Sequence, residues 1–327
     1  MKVIDVHTHM LNEAWLRLLK RHGGRYKVKK VKGGQTGIHR DGAPFMTLTP
    51  GMFDYAARIR AMDEAGVDIA IVTLTSPNVY WGSAKISLFA SKLINDDMAA
   101  QQRRYPERIR FMCSLPWQHA KLALAELKRA CDELGAVGVM VLANIDGASL
   151  TDKIFSSIWR EIDRRGLPVL VHPTAPPGTK ELDAASYNLI ASVGFMFDTS
   201  LAVSRMIFDG FFDRYPNLKL IAAHGGGALP YIAGRLDICF EKMPACRERI
   251  SQKPSFYLKK IYYDSVVFQR ESLQLCIGVG GKDKVLYGSD YPHNIGDMKG
   301  CLARVDALPP AQRDAVCGGN AQRIFRL

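Results

Sequence analysis

The chain has 327 residues, 47% of them hydrophobic and 23% charged, with a net charge of +12. That balance excludes a disordered or low-complexity protein and supplies enough apolar side chains for a large core. No apolar run approaches the ~20 residues of a membrane span, and the first strand begins at Val3, leaving no room for a signal peptide. The seven cysteines are scattered without a Cys-x-x-Cys pair, which argues against a disulfide frame or a cysteine-type zinc site and for a reducing, cytoplasmic setting.

In chain order, Val3–His7 reads as a strand that runs on into Thr8-His9. A glycine-punctuated basic stretch follows, with Lys20, Arg21, Arg25, Lys27, Lys29, Lys30, Lys32 and Arg40 and no acidic residue between them. It lacks an aromatic stacking platform or a helix-turn-helix pattern, so a solvated, hairpin-like insertion over about residues 12–50 is expected rather than a nucleic-acid surface. A helix is expected over about Phe53–Ala65, closed by Gly66, then strand Val67–Thr73 and a helix over about Ala84–Tyr105, stopped by Pro106. Strand Ile109–Leu115 and helix Ala120–Leu134 form the next pair, followed by Val137–Leu142 with Lys153–Arg165. Pro168–His172 is a fifth strand, followed by a proline-rich loop, a helical region over Asp198–Tyr215 and a sixth strand, Lys219–His224. Ile261–Asp264 and Val285–Gly288 are the weaker seventh and eighth strands.

Eight short apolar strands alternating with helices predict a parallel sheet with helical crossovers, closed as a (β/α)8 barrel in one domain over 1–327. No Gly-x-Gly-x-x-Gly follows the first strand, which removes the main support for a dinucleotide fold. The Gly225-Gly226-Gly227 run lacks the lysine and spacing of a phosphate loop and is expected to allow close backbone approach beside His224.

Side chains two apart on a strand share a face, so His7 and His9 point the same way and can supply half of a tetrahedral metal site. His172 ends strand five, His224 ends strand six and Asp290 follows strand eight. In a barrel these ends open on one face, where active sites sit. Taken singly, His172 and His224 can be satisfied core histidines and Asp290 a helix N-cap; their convergence argues for a metal-assisted site. His22, His39 and His119 are expected at the surface.

The chain resembles the amidohydrolase superfamily, in the branch of aminocarboxymuconate-semialdehyde decarboxylase and related aromatic-acid decarboxylases. The resemblance rests on Ala57-Arg58-Ile59-Arg60-Ala61-Met62-Asp63, Tyr105-Pro106-Glu107-Arg108, the segment His224–Tyr231 with Gly234-Arg235, and Gly281–Pro292. It implies one divalent metal, zinc with manganese as the alternative, held by His7, His9, His172 and Asp290. It also implies His224 as the acid/base residue beside an activated water, a role suited to histidine, whose ordinary pKa lies nearest neutrality. The implied reaction is non-oxidative decarboxylation of an aromatic or muconate-like acid. A hydrolase or lactonase, with Asp290 taking the proton, or a hydratase uses the same parts. A non-catalytic or nucleic-acid-binding protein would instead use the basic insertion.

Arg235 resembles the family arginine that reaches substrate carboxylate from a neighbouring subunit, implying a homodimer or higher homo-oligomer; a helix-surface arginine is the other reading. Three positions depart from the muconate enzyme's pattern. Thr49 stands where a second substrate arginine is expected, Ala191 where a tryptophan is, and His293 where an aromatic is. The metal machinery is intact while the pocket is altered, and His293 is a candidate substrate contact or second proton carrier, with a hydrogen-bonded structural role as the other reading. No membrane or nucleic-acid partner is expected, only a small carboxylate.

Overall fold

The computed structural model describes residues 2–31 and 33–327; Lys32, one of the eight basic residues above, lies outside them. Eight parallel strands form one sheet in chain order: Ile4–His9, Ile69–Thr73, Ile109–Cys113, Gly138–Leu142, Pro168–His172, Lys219–Ala222, Tyr262–Asp264 and Val285–Leu286. The edges meet. Val6 N–H donates to the Tyr287 carbonyl at 3.0 Å, His9 N–H to Tyr291 at 2.8 Å, and Thr8 bridges Tyr291 in parallel register. The expected (β/α)8 barrel therefore closes between its first and eighth strands.

Local chemistry explains most element ends. Gly66 and Gly166 end their helices in the left-handed conformation, at φ 76° and 61°, donating back to carbonyls of the last turn. The helix of the second unit, Ala84–Arg104, starts at Ser83, whose hydroxyl accepts from Ile86 N–H, and stops before Pro106. Pro168–His172 has the expected bounds, while strands six and eight end two residues earlier than expected, at Ala222 and Leu286. Beyond those ends His224 and Asp290 take left-handed backbone conformations, at φ 56° and 57°.

Residues 12–50 hold more structure than a hairpin. Helix Glu13–His22 comes first, followed by a three-stranded antiparallel sheet of Tyr26–Lys30, Thr36–Arg40 and Ala43–Thr47. Asn12 caps the helix, and Trp15, Leu16 and Leu19 bury its inner face. Each such side chain contributes roughly 1.5–3 kcal/mol of burial, which outweighs the local excess of positive charge. The helix is the correction to the sequence reading here, where the basic residues masked a short apolar stripe.

The expected helical region before strand six starts earlier. A π-helical turn at Ile190–Gly194 leads into helix Phe195–Phe208 and a short helix, Phe211–Arg214. Contrary to the sequence reading, the run Ser186–Phe208 is long and apolar enough, by length and composition, to cross a membrane, with a mean hydropathy of 1.3 over an 18-residue window. Its inner side, with Val203, Met206 and Ile207, packs into the core, whereas Val193, Phe197 and Leu201 stay exposed. All seven cysteines are free thiols.

Arg58, on helix Tyr55–Ala65, is fully buried beneath the barrel mouth. Its guanidinium donates to Thr8 Oγ1 at 2.6 Å and to the His9 carbonyl at 2.5 Å, and it lies 4.8 Å over the Tyr291 ring. One side chain thus fastens strand one to the segment after strand eight. Replacing Arg58 with Met leaves these buried acceptors without a donor, at about 1–3 kcal/mol each. The expected loss is about 3 kcal/mol of unfolding free energy in urea titration; a loss below about 1 kcal/mol contradicts the clamp.

Candidate metal centre

Strand one delivers His7 and His9 to the mouth, with a register shift in its pairing with strand two between Asp5 and Thr8. The two Nε2 atoms lie 3.1 Å apart, so both rings face one point as the spacing predicts. Asp290 Oδ1 stands 3.3 Å from His7 Nε2 and 3.2 Å from His9 Nε2. The His172 ring is centred 5.1 Å from that of His7 and 4.7 Å from that of His9. His224 completes the group, with Nε2 at 3.5 Å from Asp290 Oδ2. Ligand-capable atoms of His7, His172, His224 and Asp290 all lie within 4.8 Å of one another.

The outer nitrogen of each of three imidazoles is occupied. His7 Nδ1 lies 2.5 Å from Asp264 Oδ2, and His172 Nδ1 lies 2.8 Å from the Pro173 carbonyl. His9 Nδ1 meets Thr73 Oγ1 at 2.9 Å, and that hydroxyl in turn donates to the Thr8 carbonyl. Each acceptor requires a proton on Nδ1, which turns the Nε2 lone pair inward. Buried His172 Nε2 has no hydrogen-bond partner. Inward lone pairs beside an orphaned buried nitrogen and a carboxylate call for a cation, and the donor set fits one divalent ion.

The electrostatics agree. Burial works to lower the His7 pKa, but the Asp264 and Asp290 carboxylates overcome it and raise it to about 10. Burial lowers His9 to about 3 despite Asp290 and drives His172 well below the ordinary imidazole value. Burial alone would raise Asp290, yet the surrounding histidines hold it ionised, far below the usual carboxylate range. A cation that takes the place of the proton on His7 Nε2 completes this balance.

The backbone around the site is built for close approach. Asp264 Oδ2 accepts from His224 N–H at 2.9 Å, and Oδ1 accepts from Gly225 N–H at 2.9 Å and Val266 N–H at 3.0 Å. Gly225 has φ 62°, and a Cβ there would lie 2.6 Å from Val267. A Cβ on Gly288 would lie 2.9 Å from the Cβ of His7. The glycine run therefore does allow close packing beside His224.

His293 joins the edge of the cluster. Its Nε2 lies 3.0 Å from Thr75 Oγ1, and its ring is centred 5.0 Å from that of His9. Arg235 is not brought in: it is exposed on helix Leu229–Lys242 and makes no ion pair among the described residues. Thr49 Oγ1 donates to the Pro292 carbonyl at 3.1 Å, beside His293, and Ala191 is half-buried in the π-helical turn.

Asp264 and Thr73 are residues that sequence reasoning missed. Both end barrel strands, and a polar residue closing an apolar strand was the available signal. Arg40 was counted as part of a solvated stretch, but it is half-buried and donates to the Ala175 carbonyl at 2.9 Å, beyond strand five.

Two outcomes are expected. Asp264→Asn lowers divalent-metal affinity about 10–100-fold in chelator competition, the usual effect of removing a residue that orients a ligand. Affinity in the unaltered protein rises with pH, by up to about one log unit per pH unit, because the ion displaces the His7 proton. A flat profile contradicts that displacement.

Comparison with known proteins agrees with the geometry. The amidohydrolase family pattern matches residues 4–327. The 2-amino-3-carboxymuconate-6-semialdehyde decarboxylase of Dictyostelium discoideum is 30% identical over 99% of this chain and 91% of its own. A gamma-resorcylate decarboxylase of Polaromonas sp. is 29% identical over 83% of this chain and 86% of its own. The crystal structure of 5-carboxyvanillate decarboxylase from Novosphingobium aromaticivorans, complexed with manganese and 4-hydroxy-3-methoxy-5-nitrobenzoic acid, shares the fold. Its TM-score is 0.84 at 24% identity, covering 100% of this chain and 96% of that one. With a match that runs from the first barrel strand to the last residue, the chain belongs to the amidohydrolase family.

Proposed function

We propose that the protein is a metal-dependent, non-oxidative decarboxylase of an aromatic or muconate-like carboxylic acid. The observation that carries this reading is the convergence of His7, His9, His172, His224 and Asp290 in one buried cluster, in a chain that aligns nearly end to end with a decarboxylase. None of the relatives named above is a hydrolase, so the hydrolase and lactonase alternatives are not favoured.

His7, His9, His172 and Asp290 would hold the ion. When bound, it supplies Lewis acidity toward substrate oxygens and makes water more acidic. Three imidazoles and one carboxylate suit zinc; the manganese of the related 5-carboxyvanillate decarboxylase keeps that ion as the alternative. His224 Nε2 delivers a proton to the carbon that bears the carboxylate. The new C–H bond forms, the C–C bond to the carboxylate breaks, and its electron pair returns to the π system as carbon dioxide leaves. Asp290 Oδ2, 3.5 Å from His224 Nε2, orients that ring.

His293, held by Thr75, is proposed as a substrate contact, and Arg235 as a carboxylate contact reached from a second subunit. Exposed Tyr231 and Ile238 on the Arg235 helix support a homodimer. The chain is read as one catalytic barrel domain over 1–327, with about 12–50 as a small basic insertion, acting in the cytoplasm on a small carboxylate.

Elemental analysis paired with a carbon-dioxide release screen on aromatic and muconate-type acids tests the reading. About one divalent ion per chain with carbon dioxide evolved is expected; metal without carbon dioxide overturns it. His224→Ala should reduce turnover by at least about 10²–10⁴-fold at unchanged metal content, whereas His172→Ala should lose the metal. His293→Ala should raise KM about tenfold at unchanged metal content; an unchanged KM removes it from the pocket.

A further inference from the structure

A cavity of about 620 Å³ lies at the end of the barrel opposite the histidine cluster. Its lining includes Lys219 and Tyr262, the first residues of strands six and seven, and Lys284, which precedes strand eight. It therefore opens at the N-terminal ends of the strands, away from the histidine cluster. Seven lysines and arginines line it against one carboxylate, Asp163.

Much of that charge is already compensated. Arg164 and Arg165 pair with Glu161, Arg165 also with Asp132, and Lys260 lies 3.7 Å from Asp213. Asp163 accepts from Asn217 N–H at 2.7 Å, so its carboxylate is committed to the loop entering strand six. Four cations remain: Lys219, Lys259, Lys284 and Arg326, none ion-paired among the described residues. Lys219 is half-buried and its Nζ donates only to the Ile324 carbonyl, at 3.4 Å; Lys284 Nζ lies 4.1 Å over the Tyr262 ring. Burial, reinforced by Arg326, pushes the Lys219 ammonium below its ordinary pKa.

Four uncompensated cations around one hollow repel each other and weaken the folded state unless an anion joins them. The N-terminal face of such a barrel ordinarily serves stability, so nothing in the chemistry of the histidine cluster explains them. The volume is that of a small-molecule site, and Phe212 and Tyr215 add apolar wall. We propose that this cavity binds a small anion carrying two or more phosphate groups, held by Lys219, Lys259, Lys284 and Arg326. Four cations match the compact charge of a diphosphate better than that of a lone carboxylate.

The test is calorimetric titration of the metal-loaded protein with pyrophosphate at low salt, with metal content measured again afterwards. One pyrophosphate per chain is expected. The Lys219→Gln/Lys284→Gln variant should bind at least tenfold more weakly while keeping wild-type metal content and, without pyrophosphate, an unfolding temperature no lower than that of wild type. Lys27→Gln/Lys29→Gln, in the other basic region, should bind as wild type does. No saturable binding, equal affinity in the Lys219/Lys284 variant, or heat accounted for by metal loss overturns the proposal. Tight binding of a single-stranded oligonucleotide without any of pyrophosphate also overturns it, in favour of an extended polyanion.

Discussion

Asp264 ties the mouth of the barrel together from inside. Its two oxygens meet the His7 ring and the backbone N–H groups of His224, Gly225 and Val266, so a single carboxylate joins strands one, six and seven. An ionised carboxylate with no access to water is stable only when its lone pairs are filled, and here four donors fill them. Because the donors belong to different strands, the requirement to satisfy Asp264 becomes a requirement on barrel geometry. The same bonds set the His7 tautomer and hold His224 in the left-handed region, where a non-glycine residue is strained by about 1–3 kcal/mol.

Around that centre lies a second set of buried polar contacts whose task is to hold strand one against the segment after strand eight. Ser289 Oγ donates to Asp5 Oδ2 at 2.6 Å, and Asp290 N–H donates to the His7 carbonyl at 2.8 Å. Arg58 adds its bonds from the flanking helix. Asp290 is thereby positioned through its backbone before any ligand contact, although it also sits at positive φ. Two of the residues at positive φ, His224 and Asp290, stand in the cluster, and the network of hydrogen bonds offsets their strain.

Much of this was legible in the sequence, for physical reasons that can be named. Helix ends at Gly66 and Gly166 and the strand Pro168–His172 follow from local chemistry. The period-two spacing of His7 and His9 predicts their shared face, and the structure places their Nε2 atoms 3.1 Å apart. Asp264 was not legible, because an aspartate closing a short strand carries no mark of the ring it will meet 257 residues away. The helix Glu13–His22 was hidden by its own cationic face, since burial of Trp15, Leu16 and Leu19 depends on a surface that local pattern does not show.

The sequence by itself determined the alternation of strand and helix, hence the barrel, and the identity of the side chains that reach its mouth. Those are consequences of hydrophobic periodicity, turn chemistry and residue order, all of them local. Only the tertiary structure decided which nitrogen of each imidazole faces inward, which residues hold the others, and that four lysines and arginines gather uncompensated at the far end of the barrel. These depend on distances between residues remote in the chain, and electrostatic and hydrogen-bond energies vary too steeply with distance for order along the chain to reveal them.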